Sequence, residues 1–231
     1  MPNIFAISDL HLSFSADKPM DVFGARWEDY ETRLAENWQR VVGKEDVVLL
    51  PGDTSWATYV KDAAEDFGFM DRLNGIKLIS KGNHDYWWET LTKLNGFLDE
   101  QGFSSIRFIH NTHYVYGNTV ICGTKGYPET EQVPQSAEEQ KLYLRELGRL
   151  QNAIAQAKQT GAEKILVMLH YPPGTKTAFA QCMQEAKVSA CVFGHLHGAY
   201  ESAAQGNVGG VAYHLVSSDY LQFMPKLIGT F

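Results

Sequence analysis

Apolar runs that stop at a short polar motif constrain this chain more than any other feature. Val47-Val48-Leu49-Leu50 leads into Gly52-Asp53, Ile165-Leu166-Val167-Met168-Leu169 into His170, and Ala190-Cys191-Val192-Phe193 into Gly194-His195-Leu196-His197. The first run, residues 3–8, ends at Asp9-Leu10-His11, and residues 77–80 precede Gly82-Asn83-His84-Asp85. Runs without polar alternation suit strands buried on both faces, hence parallel sheets covered by helices. Ligands of such sheets gather beyond the carboxyl ends of the strands. One rim is therefore expected to collect Asp9, Asp53, Asn83, His170 and His195. In extended chain, residues i and i+2 face the same way, so Asp9 with His11 and His195 with His197 are expected to converge.

Further strands are expected at 105–109, His113–Tyr116, 119–123 and 211–216, with a tight hairpin turn at Gly117-Asn118. Helical stretches alternate with them at 27–42, 58–73, 87–101, Ala137–Gln159 and 178–187. The first carries an apolar stripe at Tyr30, Leu34, Trp38 and Val41. The longest opens on Ser136-Ala137-Glu138-Glu139, a capping box, with Leu144, Leu147, Leu150 and Ile154 as its apolar side and Gly161 as its stop. Strands alternating with helices, plus a hairpin, predict an α/β domain with mixed sheets. No repeat, low-complexity tract or Pro/Gly-rich linker divides the chain, so residues 1–231 are read as one domain.

The charge balance narrows the partners. Net charge is −7 and no run of Lys or Arg exists, which argues against gripping long nucleic acid, a task that needs a basic stripe. Three cysteines, Cys122, Cys182 and Cys191, form no Cys-x-x-Cys pair and read as reduced thiols. No apolar stretch approaches the ~18 residues of a membrane span, and the first residues read as a strand rather than a signal peptide. A cytoplasmic protein without membrane attachment is expected.

Imidazoles, carboxylates and one amide form a ligand set for hard-to-borderline divalent cations. His-x-His alone is cheap by composition, whereas Gly-Asn-His-Asp arises in about one shuffled chain in 700. The five motifs, in their order over residues 4–197, resemble the calcineurin-like metallophosphoesterase superfamily. That resemblance implies two facing mixed β-sheets flanked by helices, a four-layer sandwich with a metal site at one rim. It implies two divalent ions per chain, Mn²⁺, Fe²⁺ or Zn²⁺: one on Asp9, His11 and His197, the other on Asn83, His170 and His195. Asp53 would bridge them, since a carboxylate has two oxygens to share. The implied activity is hydrolysis of a phosphate mono- or diester, of a small molecule or nucleotide, by hydroxide held between the metals.

The same resemblance makes His84 the proton donor to the leaving group, with Asp85 orienting it. Trp56 and Trp87 either wall the pocket and stack on a base or aryl group, or pack helices against the rim. Lys125 either meets a phosphate oxygen or is an ordinary surface lysine. Loop 13–26 is long enough to reach over the metals. His110, His113 and His214 are read as structural. A competing class, a catalytically silent module of this fold that holds protein partners, is disfavoured because every ligand position and the His84-Asp85 pair are retained.

Overall fold

A computed structural model describes residues 3–128 and 136–230. Four parallel strands, β1 (Asn3–Ala6), β2 (Val47–Leu50), β3 (Ile76–Ile79) and β4 (Ile106–Phe108), form the first sheet. The second holds β5 (His113–Tyr116), β6 (Thr119–Thr124), β7 (Lys164–Leu169), β8 (Ala190–Phe193), β9 (Gly206–Val208) and β10 (Val211–Leu215). Strand β11 (Lys226–Thr230) returns antiparallel to β1, giving orders β11-β1-β2-β3-β4 and β5-β6-β7-β8-β10-β9. Both sheets are thus mixed, with antiparallel strands only at their edges.

Strand periodicity explains the layers. Ile4 and Ala6 of β1 turn inward with Val47, Leu49 and Leu78 onto Ile121, Leu166, Met168 and Val192 of the second sheet. Phe5, Ile7, Val48 and Leu50 turn outward against α1 (Tyr30–Val41), α2 (Ala64–Arg72) and α3 (Leu91–Gln101). On the other side, Val120, Cys122 and Val167 pack under α4 (Ala137–Gln159) and α5 (Ala178–Glu185). Helices, sheet, sheet and helices are the four expected layers. Among the described residues no helix is long and apolar enough to cross a membrane.

Several local readings need correction. Helix α4 has its expected bounds and the full Ser136/Glu139 capping box. Its buried face, however, runs through Glu146, Leu150, Ala153, Ile154 and Ala157, and Leu144 is exposed. A polar residue faces inward because the Glu146 carboxylate accepts from Thr124 Oγ1 (2.9 Å) and pairs with Arg149 (2.5 Å). The Gly117-Asn118 hairpin forms, but only Gly117 takes positive φ, at 58°. Residues 87–90 are not helical, and α3 starts at Leu91 behind a Thr90 cap. Strands β9 and β11 went unread. Both are short and partly exposed, without the long apolar runs of the inner strands.

Candidate metal centre

The loops after β1 and β2 are built on each other. Asp9 and His11 backbone N–H groups donate to Gly52 and Asp53 carbonyls, each at 3.0 Å. Asp9, His11 and Asp53 hold φ of 57°, 47° and 52°, so the chain here is left-handed rather than extended. Asp9 and His11 therefore converge through two tight bends, not through strand alternation as expected. Asp tolerates this region better than most residues, but a non-glycine pair held there is backbone spent on placing side chains.

Asp85 organises this floor. Its fully buried carboxylate accepts from the N–H groups of Gly82 (2.7 Å), Asp53 (2.9 Å) and Thr54 (2.9 Å), and from Trp87 Nε1 (3.1 Å). The expected pairing with His84 is absent, because these donors take up its oxygens. The His84 N–H instead donates to Asp53 Oδ1 at 2.8 Å, and no hydrogen bond reaches the buried His84 Nδ1.

From the second sheet, His170 donates through Nδ1 to the Pro51 carbonyl at 3.0 Å. That bond fixes the neutral tautomer and leaves a lone pair on Nε2. Nε2 faces Asn83 Oδ1 at 2.6 Å and Asp53 Oδ2 at 3.5 Å. Three potential ligand atoms converge here. A second convergence lies beside it: His197 Nε2 is 3.3 Å from His11 Nε2 and 3.7 Å from Asp9 Oδ1. Asp53 Oδ2 is also 4.0 Å from His11 Nε2 and so touches both clusters. The ring of His195 packs on those of His170 and Tyr171, at centroid separations of 5.1 and 4.6 Å, while the His195 backbone N–H donates to Asp9 Oδ2 at 3.0 Å.

Electrostatics point the same way. Burial, then Asp85 and Asp9, pushes Asp53 up to about 9. Burial lowers His170 to about 4, and burial with His197 and His84 does the same to His195. Neutral imidazoles and mutually repelling carboxylates share one low-dielectric space, which a cation relieves on both counts. Asp9, His11 and His197 form one set able to hold a metal, and Asp9, Asp53 and His170 another. His195, an expected ligand, joins neither set, nor do His110, His113 and His214.

Two glycines make the approach possible. A Cβ on Gly82 would overlap Asp53 Oδ1, and one on Gly194 would overlap Asp9 Oδ2 and Ser8 Oγ. Asp219 escaped the sequence reading. It accepts from His197 Nδ1 at 3.0 Å and from Tyr200 OH at 2.6 Å, and Arg26 lies 3.3 Å away. This carboxylate leaves His197 Nε2 free to face the rim. Its only sequence signal was a polar Ser217-Ser218-Asp219 stop after another apolar run.

A cleft of about 490 Å³ opens over His11, His84 and His197 and is lined as well by Met20, Phe23, Arg26 and Trp27, from the segment before α1. Trp56 lines it, stacked on His11 at 4.9 Å and 23°. Trp87 does not: it is fully buried in the core under α2 and α3, where its ring meets Phe67 edge-on. Lys125 lies outside this cleft, with Nζ over the Tyr171 ring at 5.8 Å.

Residues 2–199 match the family model for calcineurin-like phosphoesterases. The chain belongs to that family, which implies divalent metal ions and hydrolase chemistry. Among curated proteins, the gene 66 proteins of Mycobacterium phages L5 and D29 are similar, 32% identical over 85 residues and 35% over 86. Each match covers 37% of this chain and 41% of the relative, so it spans about two fifths of those proteins. Among solved structures, the phosphopantetheinyl hydrolase of Mycobacterium tuberculosis superposes with a TM-score of 0.62 at 12% identity, over 98% of this chain and 95% of that one. A protein of unknown function from Aquifex aeolicus gives 0.53 at 14% identity, over 98% and 96%. At such identities the likeness concerns the fold alone.

Proposed function

We propose that the chain is a dinuclear metal-dependent phosphoesterase acting on a phosphate mono- or diester of a small molecule or nucleotide. The observation that carries this is the pair of adjacent acceptor sets, Asp9-His11-His197 and Asp9-Asp53-His170, with Asp53 Oδ2 lying between them at 3.5 Å from His170 Nε2 and 4.0 Å from His11 Nε2. Asp9, His11 and His197 would hold one cation and Asn83, His170 and His195 the other, with Asp53 shared between them. Imidazole and oxygen donors without thiolate suit Mn²⁺, Fe²⁺ or Zn²⁺. When bound, such a pair lowers the pKa of a water to give a nucleophile near neutral pH and offsets phosphate charge.

The remaining work falls to the protein. Asp85, through Gly82, Asp53 and Thr54 N–H groups, holds Asp53 in place, so it acts as a positioning residue. His84 lines the cleft beside the clusters without belonging to either. Burial first, then His197 and Lys18, lower its pKa, so it is the minority protonated imidazole that gives the leaving-group oxygen a proton as the ester bond breaks. Asp219 keeps His197 in the tautomer that offers Nε2. Lys125, outside the cleft, contributes positive charge near His170 but no contact with the organic part of the substrate.

The test is removal and return of metal. Chelated protein should lose hydrolysis of a panel of phosphate esters and regain it with Mn²⁺, Fe²⁺ or Zn²⁺. Hydrolysis unaffected by chelation, or none with any of the three ions, contradicts the proposal.

A further inference from the structure

A second polar cluster lies at the same rim, outside the groups that face the proposed metals. The backbone builds it where the two sheets meet. Ile109 N–H donates to the Ile79 carbonyl at 2.8 Å, so the chain leaving β4 lies along the chain leaving β3. Two residues on, Asn111 N–H reaches the Gly123 carbonyl of β6 at 3.3 Å, and the Lys125 carbonyl accepts from the His170 N–H at 3.0 Å. Lys81, His110 and Lys125 therefore leave neighbouring strand ends in turn, alongside Asn83 and His170. Helix α4 closes the far side, where Glu146 accepts from Thr124 Oγ1 at 2.9 Å and pairs with Arg149 at 2.5 Å and Arg145 at 3.6 Å.

The charge of this cluster runs against that of the chain. Net charge is −7, yet among the described residues Glu146 serves both arginines and no carboxylate pairs with Lys81 or Lys125. Lys125 Nζ instead stands 5.8 Å over the ring of Tyr171, the ring that packs on His195. Lys81 is half-buried, and burial, then the positive charge of Lys125, lowers its pKa. Burial also lowers His110, and the charges of Arg149, Glu146, Lys81 and Lys125 all bear on that one ring. Its buried Nδ1 has no hydrogen-bond partner. Cations drawn out of water beside one another are costly until an anion joins them.

Resting on the phosphoesterase reading above, we propose that Lys81, Lys125 and Arg149 form a subsite for a second phosphate group, so that the preferred esters carry two phosphates, one at the metal clusters and one here. Lysine meets phosphate as a point charge, and Arg149, held through one Nη by Glu146, keeps its other N–H groups for an anion. Three cations from three elements suit a dianion with three oxygens better than a carboxylate with two.

Phosphonates, whose carbon–phosphorus bond is not hydrolysed, separate binding from turnover. With Mn²⁺-loaded protein, calorimetry compares α,ω-alkane bisphosphonates of graded length with butyl phosphonate and 4-phosphonobutyrate. The best bisphosphonate should bind at least about 10-fold more tightly than butyl phosphonate, the scale of one charge-assisted hydrogen bond. In Lys81→Gln and in Lys125→Gln that ratio should fall below about threefold, with bound Mn²⁺ counted alongside. Every probe shares the first phosphonate, so a variant that merely weakens the metal site lowers them all and leaves the ratio alone. Lys125→Arg, which keeps the charge, should keep the ratio. Equal binding of mono- and bisphosphonates in the parent, a ratio that survives both glutamine substitutions, or 4-phosphonobutyrate matching the best bisphosphonate overturns the proposal. The two readings fail separately. Bisphosphonate preference without turnover of any ester contradicts the catalytic reading and leaves this one standing. Turnover without that preference does the reverse.

Discussion

The two sheets bring unlike chemistry to the rim between them. Loops after β1, β2 and β3 supply mostly oxygen, from Asp9, Asp53 and Asn83, on a backbone bent left-handed at three positions. Loops after β7 and β8 supply imidazole, from His170, His195 and His197, and β10 leads to the carboxylate behind them, Asp219. Neither half is content alone. The carboxylates of Asp85 and Asp9 repel that of Asp53 in a buried space, and the neutral His170 ring aims its Nε2 lone pair at Asp53. Packing one sheet on the other, through Ile4, Ala6 and Leu49 against Leu166, Met168 and Val192, therefore also assembles the site. A metal bound there would stabilise the packed state by mass action.

The largest effect should come from breaking that seam where the sheets nearly touch. In Gly194→Ala the added Cβ meets Asp9 Oδ2 and Ser8 Oγ; Asp9 must move away from His197. Bound metal and hydrolysis should both be lost, read by elemental analysis and turnover, with far-UV circular dichroism retaining the mixed sheets. Next in size is His84→Asn, which asks whether this first-sheet imidazole differs from the ligands. Metal should be kept, and the rate on alkyl phosphate esters should fall roughly 10²–10⁴-fold. A p-nitrophenyl ester, whose leaving group needs little protonation, should lose clearly less. Equal losses, compared under single-turnover conditions, would move His84 to phosphate binding. Smallest is Asp219→Asn on the second-sheet side. Metal affinity should weaken about 10–100-fold, the usual cost of losing a carboxylate behind a ligating histidine. An unchanged affinity would show that His197 needs no such support.

Sequence made one half of each of these contacts visible. Apolar runs end at the motif residues, so the sequence alone assigns Asp9, Asp53, Asn83, His170 and His195 to one rim. Ser136 and Glu139 announced the start of α4 because capping is local, three residues apart. What stayed hidden depends on distance along the chain. Asp85 finds Asp53 N–H across 32 residues and Asp219 finds His197 across 22, and no local pattern encodes either pairing. Leu144 looked like part of the α4 face because helical spacing identifies an apolar stripe but not the buried carboxylate of Glu146 that displaces it. Trp56 and Trp87 are alike as residues. Only the fold turned one onto His11 in the cleft and the other into the core.

The account rests on Asp53 serving both clusters, and metal counting of Asp53→Asn tests it most directly. The amide keeps the shape of the carboxylate but removes the charge shared between His11 and His170. The prediction is about two divalent ions per chain in the parent, and one or fewer in the variant, with hydrolysis lost alongside. Two ions retained by Asp53→Asn at full activity would contradict the bridge and, with it, the dinuclear centre.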